Sequence, residues 1–285
     1  MTDVQGDSLE RVHEIARTSY SVINKYFHAN GFVVVKHVVA TPSAKDLWRT
    51  EVNALTNLGV HVRSTRTMSR KAMLTIQPHV ATMISSHEPS LSITLRYETG
   101  RSLNNFVDRD LVSIVPLQSC DQIFLQMAGA LSFIHDRRMI HDDVKPENIM
   151  WSPDDCRAVL VDFGAALFDS EYTESGTPPY AAPEYLARIK TCKSDIWACG
   201  ITLAFVFGYF PLPSGDWLLP NALLPDTKDR KDMDEWLSFI GFITKDVIDR
   251  DEPLLGQMLK LCPDTRATSK ELVKKLSERM LSLLE

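Results

Sequence analysis

Apolar positions along the chain follow two rhythms, and the change falls near Gly100. Before it, short apolar or β-branched runs predominate. Ser21–Phe27 and Gly31–Val39 are two such runs, separated by a turn signal at Asn30-Gly31, and they predict a β-hairpin. Ala72–Ile76 and Leu91–Tyr97 predict two further strands. Pro42 and Ser43 open a helical stretch over Ala44–Leu58, where Leu47, Val52, Leu55 and Leu58 recur roughly at helical spacing. Beyond Gly100 the pattern is mostly helical. Asp121–His135 carries Ile123, Met127, Leu131 and Ile134 as one apolar stripe. Two short strands, Asn148–Trp151 and Ala158–Val161, follow, and then a Ser-, Thr-, Gly- and Pro-rich loop over Ala165–Tyr180. Helical pattern resumes near Ser194 and runs to the C-terminus, interrupted over Pro213–Met233. The expected fold is α+β and bilobal: a small β-rich lobe over about 10–98, a larger α-helical lobe over about 99–285, and a hinge at Arg96–Gly100.

Composition leaves this picture intact. The 285 residues are 44% hydrophobic and 24% charged, enough apolar material for a sizeable core. A net charge of −6 offers no basic surplus for nucleic acid. The five cysteines form no CxxC pair and read as reduced thiols, which points to a cytoplasmic or nuclear protein. The polar, acidic N-terminus matches neither a signal nor a transit peptide. The most apolar stretch, Ile201–Leu212, is too short to span a bilayer and reads as a buried helix, so no membrane partner is expected.

The candidate chemistry lies between His141 and Glu184. Met139–Met150 reads MIHDDVKPENIM, with Asp143, Lys145 and Asn148 spaced two and three apart behind a histidine. Nineteen residues beyond Asp143 comes Asp162-Phe163-Gly164. Gly176-Thr177, Ala182-Pro183-Glu184, Asp195-Ile196-Trp197 and, near the end, Arg266 complete an ordered series. In the first lobe, Lys36 sits inside an apolar strand, where a lysine is costly unless paired. Glu51 follows fifteen residues later on the expected helix.

This series, over nearly the whole chain, closely resembles the eukaryotic-type protein kinases. The resemblance implies transfer of the γ-phosphate of ATP to a hydroxyl, with Mg²⁺ as the metal. It makes Asp143 the base for the substrate hydroxyl and Lys145 the cation that neutralises the transferred phosphate. It makes Asn148 and Asp162 the Mg²⁺ ligands, a carboxylate and an amide being suited to a hard cation that keeps several waters. It puts Lys36 on the α- and β-phosphates with Glu51 holding it, and Val22 at the nucleotide. Glu184 and Arg266 would form a buried ion pair, and Asp195 would hold the backbone of the catalytic loop. The KPEN and GTPPYAAPE segments resemble Ser/Thr kinases and imply a protein substrate. A monomer is assumed.

Two positions depart from the family pattern. The place of its glycine-rich phosphate-covering loop is filled by Ile15–Tyr20, which has no glycine. Side chains there should hold the loop away from phosphates and weaken nucleotide binding. Arg17, Thr18 or Ser19 would have to supply replacement contacts, or the segment is an ordinary polar hairpin turn. The second departure is Asp142, where the family often has an arginine that receives an activation-loop phosphate. An aspartate would repel that phosphate, so activity is expected to be independent of it. The leading reading is an active Ser/Thr kinase. The alternatives are a pseudokinase scaffold, favoured by the missing glycines, and a small-molecule kinase.

Overall fold

The computed structural model describes residues 9–28, 31–39, 41–59, 78–168 and 171–282. The chain forms two compact units, one of Met1–Thr99 with Asp162–Ala165 and one of Gly100–Val161 with Ala166–Glu285. The first is sheet-rich and the second largely helical, the α+β, two-lobed division expected.

The first unit is an antiparallel sheet in the order β1-β2-β3-β5-β4. Its strands are β1 (Glu10–Arg17), β2 (Ser21–His28), β3 (Gly31–Val38), β4 (Met83–His87) and β5 (Ser92–Arg96). The β2–β3 hairpin is in the expected place, in register from Ser21 opposite Val38 to His28 opposite Gly31. Tyr26, Val33 and Val35 pack together as its core. The strand expected at Ala72–Ile76 lies outside the described residues.

Two strands escaped the sequence pattern. β1 is exposed along its whole length, so no alternation marks it. β4 is half-buried at best, with register slippage against β5. Helix α1 spans Ala44–Leu58 as expected and ends on Gly59 in the left-handed region, φ +60°. Its buried face differs from the stripe read by eye. Ala44, Trp48, Glu51, Leu55 and Leu58 point inward, whereas Leu47 and Val52 are only half-buried. Trp48 and Glu51 belong to this face because each finds a polar partner inside. The Trp48 indole donates to the Ser92 carbonyl at 3.1 Å, and Glu51 meets Lys36.

The second unit begins at Gly100, whose φ of +89° and approach to the Trp151 carbonyl leave no room for a Cβ. Its strands are short. β6 (Arg101–Ser102), β8 (Ile149–Ser152) and β9 (Arg157–Leu160) form one sheet, and β7 (Met139–Ile140) pairs with β10 (Leu167–Phe168). Helix α2 starts four residues before the expected Asp121, covering Leu117–His135, and buries Ile123, Met127, Leu131 and Ile134. Helix α3 (Cys192–Val206) is buried all round apart from its first turn. The chain leaves it before the end of the apolar stretch, so Ile201–Val206 is helical and Phe207–Leu212 is not. Then come α4 (Leu219–Ala222), α5 (Lys228–Ile243), α6 (Asp249–Asp251), α7 (Pro253–Met258) and α8 (Ser269–Ser282). The interruption read over Pro213–Met233 is thus shorter than expected, and it packs inward through Trp217, Leu219 and Met233. No described helix is long and apolar enough to cross a membrane.

The expected ion pair is present inside the second unit. The Arg266 guanidinium meets the Glu184 carboxylate through two parallel bonds of 2.7 and 3.0 Å, and both side chains are buried. Arg266 also donates to the carbonyls of Lys193 and Lys260 at 2.6 and 3.0 Å. Removing one partner strands a charge in the interior, which costs more than the pair itself contributes. Arg266→Met should lower unfolding free energy by about 3–5 kcal/mol, read as a fall in the urea midpoint at unchanged slope.

Candidate active site

In the first unit, β3 carries Lys36 inward against α1. Its ammonium lies 2.8 Å from Glu51 Oε2 and 2.6 Å from Asp162 Oδ1. Burial alone would push Lys36 down, but the two carboxylates outweigh it and hold the lysine above its ordinary value. Burial pushes Glu51 up; Lys36 pulls it back, and neighbouring Asp162 pushes it further up. One ammonium therefore serves two carboxylates, and the direction that governs the cluster is a lysine locked in its charged form.

Asp162 has φ +64°, a left-handed backbone that aspartate tolerates better than most residues. Its Oδ1 also accepts the Gly164 amide at 3.2 Å. A side chain at Gly164 would crowd that oxygen at 3.2 Å, so the glycine keeps the backbone close to the carboxylate. The Asp162 side chain is 42% exposed, unlike those of Lys36 and Glu51 at 8% and 3%, and so has a face accessible to a cation. Val22 lies on β2, half-buried and opposite His37.

The glycine-free segment is half strand and half turn. Ile15–Arg17 ends β1, and Thr18–Tyr20 makes the turn into β2. Thr18 donates its amide to the Ser21 carbonyl at 2.9 Å. Its hydroxyl accepts the amides of Tyr20 and Ser21 at 3.1 and 3.0 Å. Arg17 is committed to Glu14 by two bonds of 2.9 and 2.7 Å. The amides of Thr18, Tyr20 and Ser21 are thus satisfied within the turn, as in an ordinary polar hairpin turn.

In the second unit, four residues of the catalytic-loop candidate and its surroundings converge. Asp143 Oδ1 accepts the Thr177 hydroxyl at 2.7 Å. Asp143 Oδ2 meets Lys145 at 2.8 Å and Asn148 Nδ2 at 3.0 Å. Lys145 also donates to Thr177 at 2.8 Å. Asn148 gives its amide protons to Asp143, at the carboxylate 3.0 Å away and at the backbone carbonyl 2.8 Å away. Asn148 lies in a 3₁₀ turn over Pro146–Asn148 rather than at the start of the expected strand. An amide oxygen and a carboxylate suit Mg²⁺. Among the described residues no three His, Cys, Asp or Glu side chains cluster as a metal cage.

Asp195 fixes the loop from beneath. Its carboxylate, in the first turn of α3, accepts the amides of His141 and Asp142 at 2.8 and 2.9 Å and faces His135 Nε2 at 2.9 Å. His141 is fully buried. Its Nδ1 accepts the Asp143 amide at 3.3 Å, so Nε2 carries the proton and donates to the Val161 carbonyl at 3.1 Å.

Asp142 holds a partner that sequence reasoning missed. The Lys190 ammonium lies 2.6 Å from Asp142 Oδ2, and the Ser175 hydroxyl donates to the same oxygen at 2.7 Å. Nothing in the segment ARIKTCK marks this lysine. Its pairing depends on a contact forty-eight positions away in sequence.

A family model described as the protein kinase domain matches residues 9–276, and the chain belongs to that family. Serine/threonine-protein kinase ppk34 of Schizosaccharomyces pombe is 31% identical over 199 residues, covering 67% of this chain and 52% of its own. A serine/threonine-protein kinase of Drosophila melanogaster is 29% identical over 212 residues, covering 69% of this chain and 26% of its own. The chain thus spans about half the length of the first relative and about a quarter of the second. A crystal structure described as a kinase domain matches with a TM-score of 0.69 at 17% identity over 94% of both chains, so the fold is that of a kinase.

Asp142 also yields a pH signature. Burial pushes its carboxyl up to about 6, and Lys190 and Ser175 only partly pull it back. Between about pH 4 and about pH 6 the folded chain therefore holds a proton there that the unfolded chain, with an ordinary aspartate, releases; above that range Asp142 is charged. The associated stability is present below about pH 4 and lost as pH rises through about 6, a change of about 3 kcal/mol for a shift of about two units. Urea unfolding of Asp142→Asn beside the parent chain should show the variant lacking this downward slope. Parallel curves would contradict it.

Proposed function

We propose that this chain is an active kinase that transfers the γ-phosphate of ATP to Ser or Thr hydroxyls of a protein substrate. The observation that carries the reading is the Asp143–Lys145–Thr177–Asn148 network, closed by hydrogen bonds of 2.7–3.0 Å. In this reading Asp143 accepts the proton of the attacking hydroxyl, and Lys145 neutralises charge on the group in transit. Thr177 keeps the two in register. Lys36, held charged between Glu51 and Asp162, binds the α- and β-phosphates, and Val22 lies against the nucleotide. Asn148 and Asp162 would hold Mg²⁺, which shields the charge on the phosphates. The GTPPYAAPE segment and the names of the relatives support a Ser/Thr protein substrate.

A second reading, a scaffold with weak or no transfer, is favoured by the self-contained Thr18 turn. It calls for testing at millimolar ATP. Purified chain with Mg²⁺, labelled ATP and a basic acceptor protein should transfer label, and Asp143→Asn should reduce the rate by about 10²–10⁴-fold. Folded protein that gives no label at millimolar ATP would favour the scaffold.

The charge at Asp142 supports independence from activation-loop phosphate. Phosphatase treatment, with mass spectrometry confirming Ser170, Tyr172, Thr173 and Ser175 unmodified, should leave the transfer rate within about twofold. A collapse restored by rephosphorylation would count against it.

A further inference from the structure

We propose that Lys190 is a positioning residue for the activation segment: through its buried pair with Asp142 it grips Thr173 and Ser175 and so sets Thr177 against Asp143 and Lys145. The inference rests on the kinase reading above, because it assigns a cause to the geometry of that network.

The Lys190 ammonium has three protons to donate. It lies 2.6 Å from Asp142 Oδ2, 2.8 Å from the Ser175 carbonyl, and 3.2 Å from each of the Thr173 and Ser175 hydroxyls. The two longer contacts therefore share a proton. Ser175 returns a bond to Asp142 at 2.7 Å, closing a triangle of Asp142, Lys190 and Ser175. The Lys190 and Asp142 side chains are 4% and 6% exposed, so solvent screens the pair little. The neighbouring cavity, about 30 Å³ and lined in part by Asp143, Thr177 and Tyr185, has room for little more than a water.

The surroundings reinforce the grip. The Tyr172 and Tyr185 rings face the ammonium at 5.9 and 5.8 Å. Tyr185 donates to the Glu174 carbonyl at 3.1 Å, and Arg188 pairs with the Glu174 side chain at 2.9 Å. Residues 173–175 are thus anchored to the stretch just after the Ala-Pro-Glu motif, two residues before Thr177. The Asp142 end is fixed independently, since its amide is held by Asp195 and it directly precedes Asp143.

A segment phosphate would find its place taken. Phosphorylation of Ser175 would remove the hydroxyl donor and set two negative charges beside a buried carboxylate. The device therefore has a sign: added negative charge at Ser175 loosens the segment.

The test uses the full chain and two kinds of readout. Lys190→Met should lower kcat about 10²-fold while KM for ATP stays within about twofold, and Lys190→Arg should recover much of the loss. Asp142→Asn/Lys190→Met removes both charges; it should regain thermal stability relative to Lys190→Met without regaining kcat. Ser175→Asp should lower the rate. Amide hydrogen exchange at 173–177, which needs no activity, should speed up in Lys190→Met and not in Lys190→Arg. If the parent chain transfers no phosphate, the kinase reading fails, and exchange alone decides whether Lys190 orders the segment. Unchanged exchange in Lys190→Met, a double variant with parental kcat, or activation by Ser175→Asp would each overturn the proposal.

Discussion

The second unit depends on a carboxylate that never reaches solvent. Asp195 is 1% exposed, in the first turn of a helix whose remaining turns are apolar on every side. A charge there is tolerable only if donors surround it. Those donors are the amides of His141 and Asp142 and the imidazole of His135, joined by the favourable end of the helix dipole. Satisfying Asp195 therefore pins two consecutive amides of the loop. Asp142 is held in the left-handed region at φ +64°, and Asp143 emerges from it towards Lys145 and Thr177. A loop pinned in this way is ordered in advance, which is what accurate placement of a reacting group requires.

The same rule of burying charge only with a partner organises the rest of the molecule. Lys36 is balanced by Glu51 and Asp162, Glu184 by Arg266, and Asp142 by Lys190. These pairs are specifiers of conformation more than sources of stability. Glu184–Arg266 ties the start of a short turn to a residue near the C-terminus, while Asp142–Lys190 ties the catalytic loop to the activation segment. Within the first unit two sets of donors are treated differently. Lys36 is held charged between two carboxylates, whereas the amides of Thr18, Tyr20 and Ser21 are satisfied inside their own turn.

Much of this was legible along the chain. The β2–β3 hairpin, α1, α2 and the order of the motifs follow from local pattern, and the fold class follows from them. Lys36 could be flagged because a charge inside an apolar run demands a partner, and the resemblance to the kinase family supplied Glu51 as that partner. Asp143, Lys145 and Asn148 were recognisable by the resemblance of their ordered motif to the kinase family. Other features had no local signature. β1 is exposed on both faces and shows no alternation. The inward face of α1 includes Trp48 and Glu51, whose burial depends on partners elsewhere.

Sequence alone thus determined the family, the elements and the identity of the chemical groups, because these rest on periodicity and on residue types at short spacing. It also marked Asp142 as a residue at odds with the usual phosphate switch. Only the tertiary structure decided what Asp142 pairs with, since Lys190 is brought beside it from forty-eight positions away. It likewise showed that the Thr18 hydroxyl turns back onto the Tyr20 and Ser21 amides, because the direction of a hydroxyl depends on the backbone, which a string of residue types does not carry.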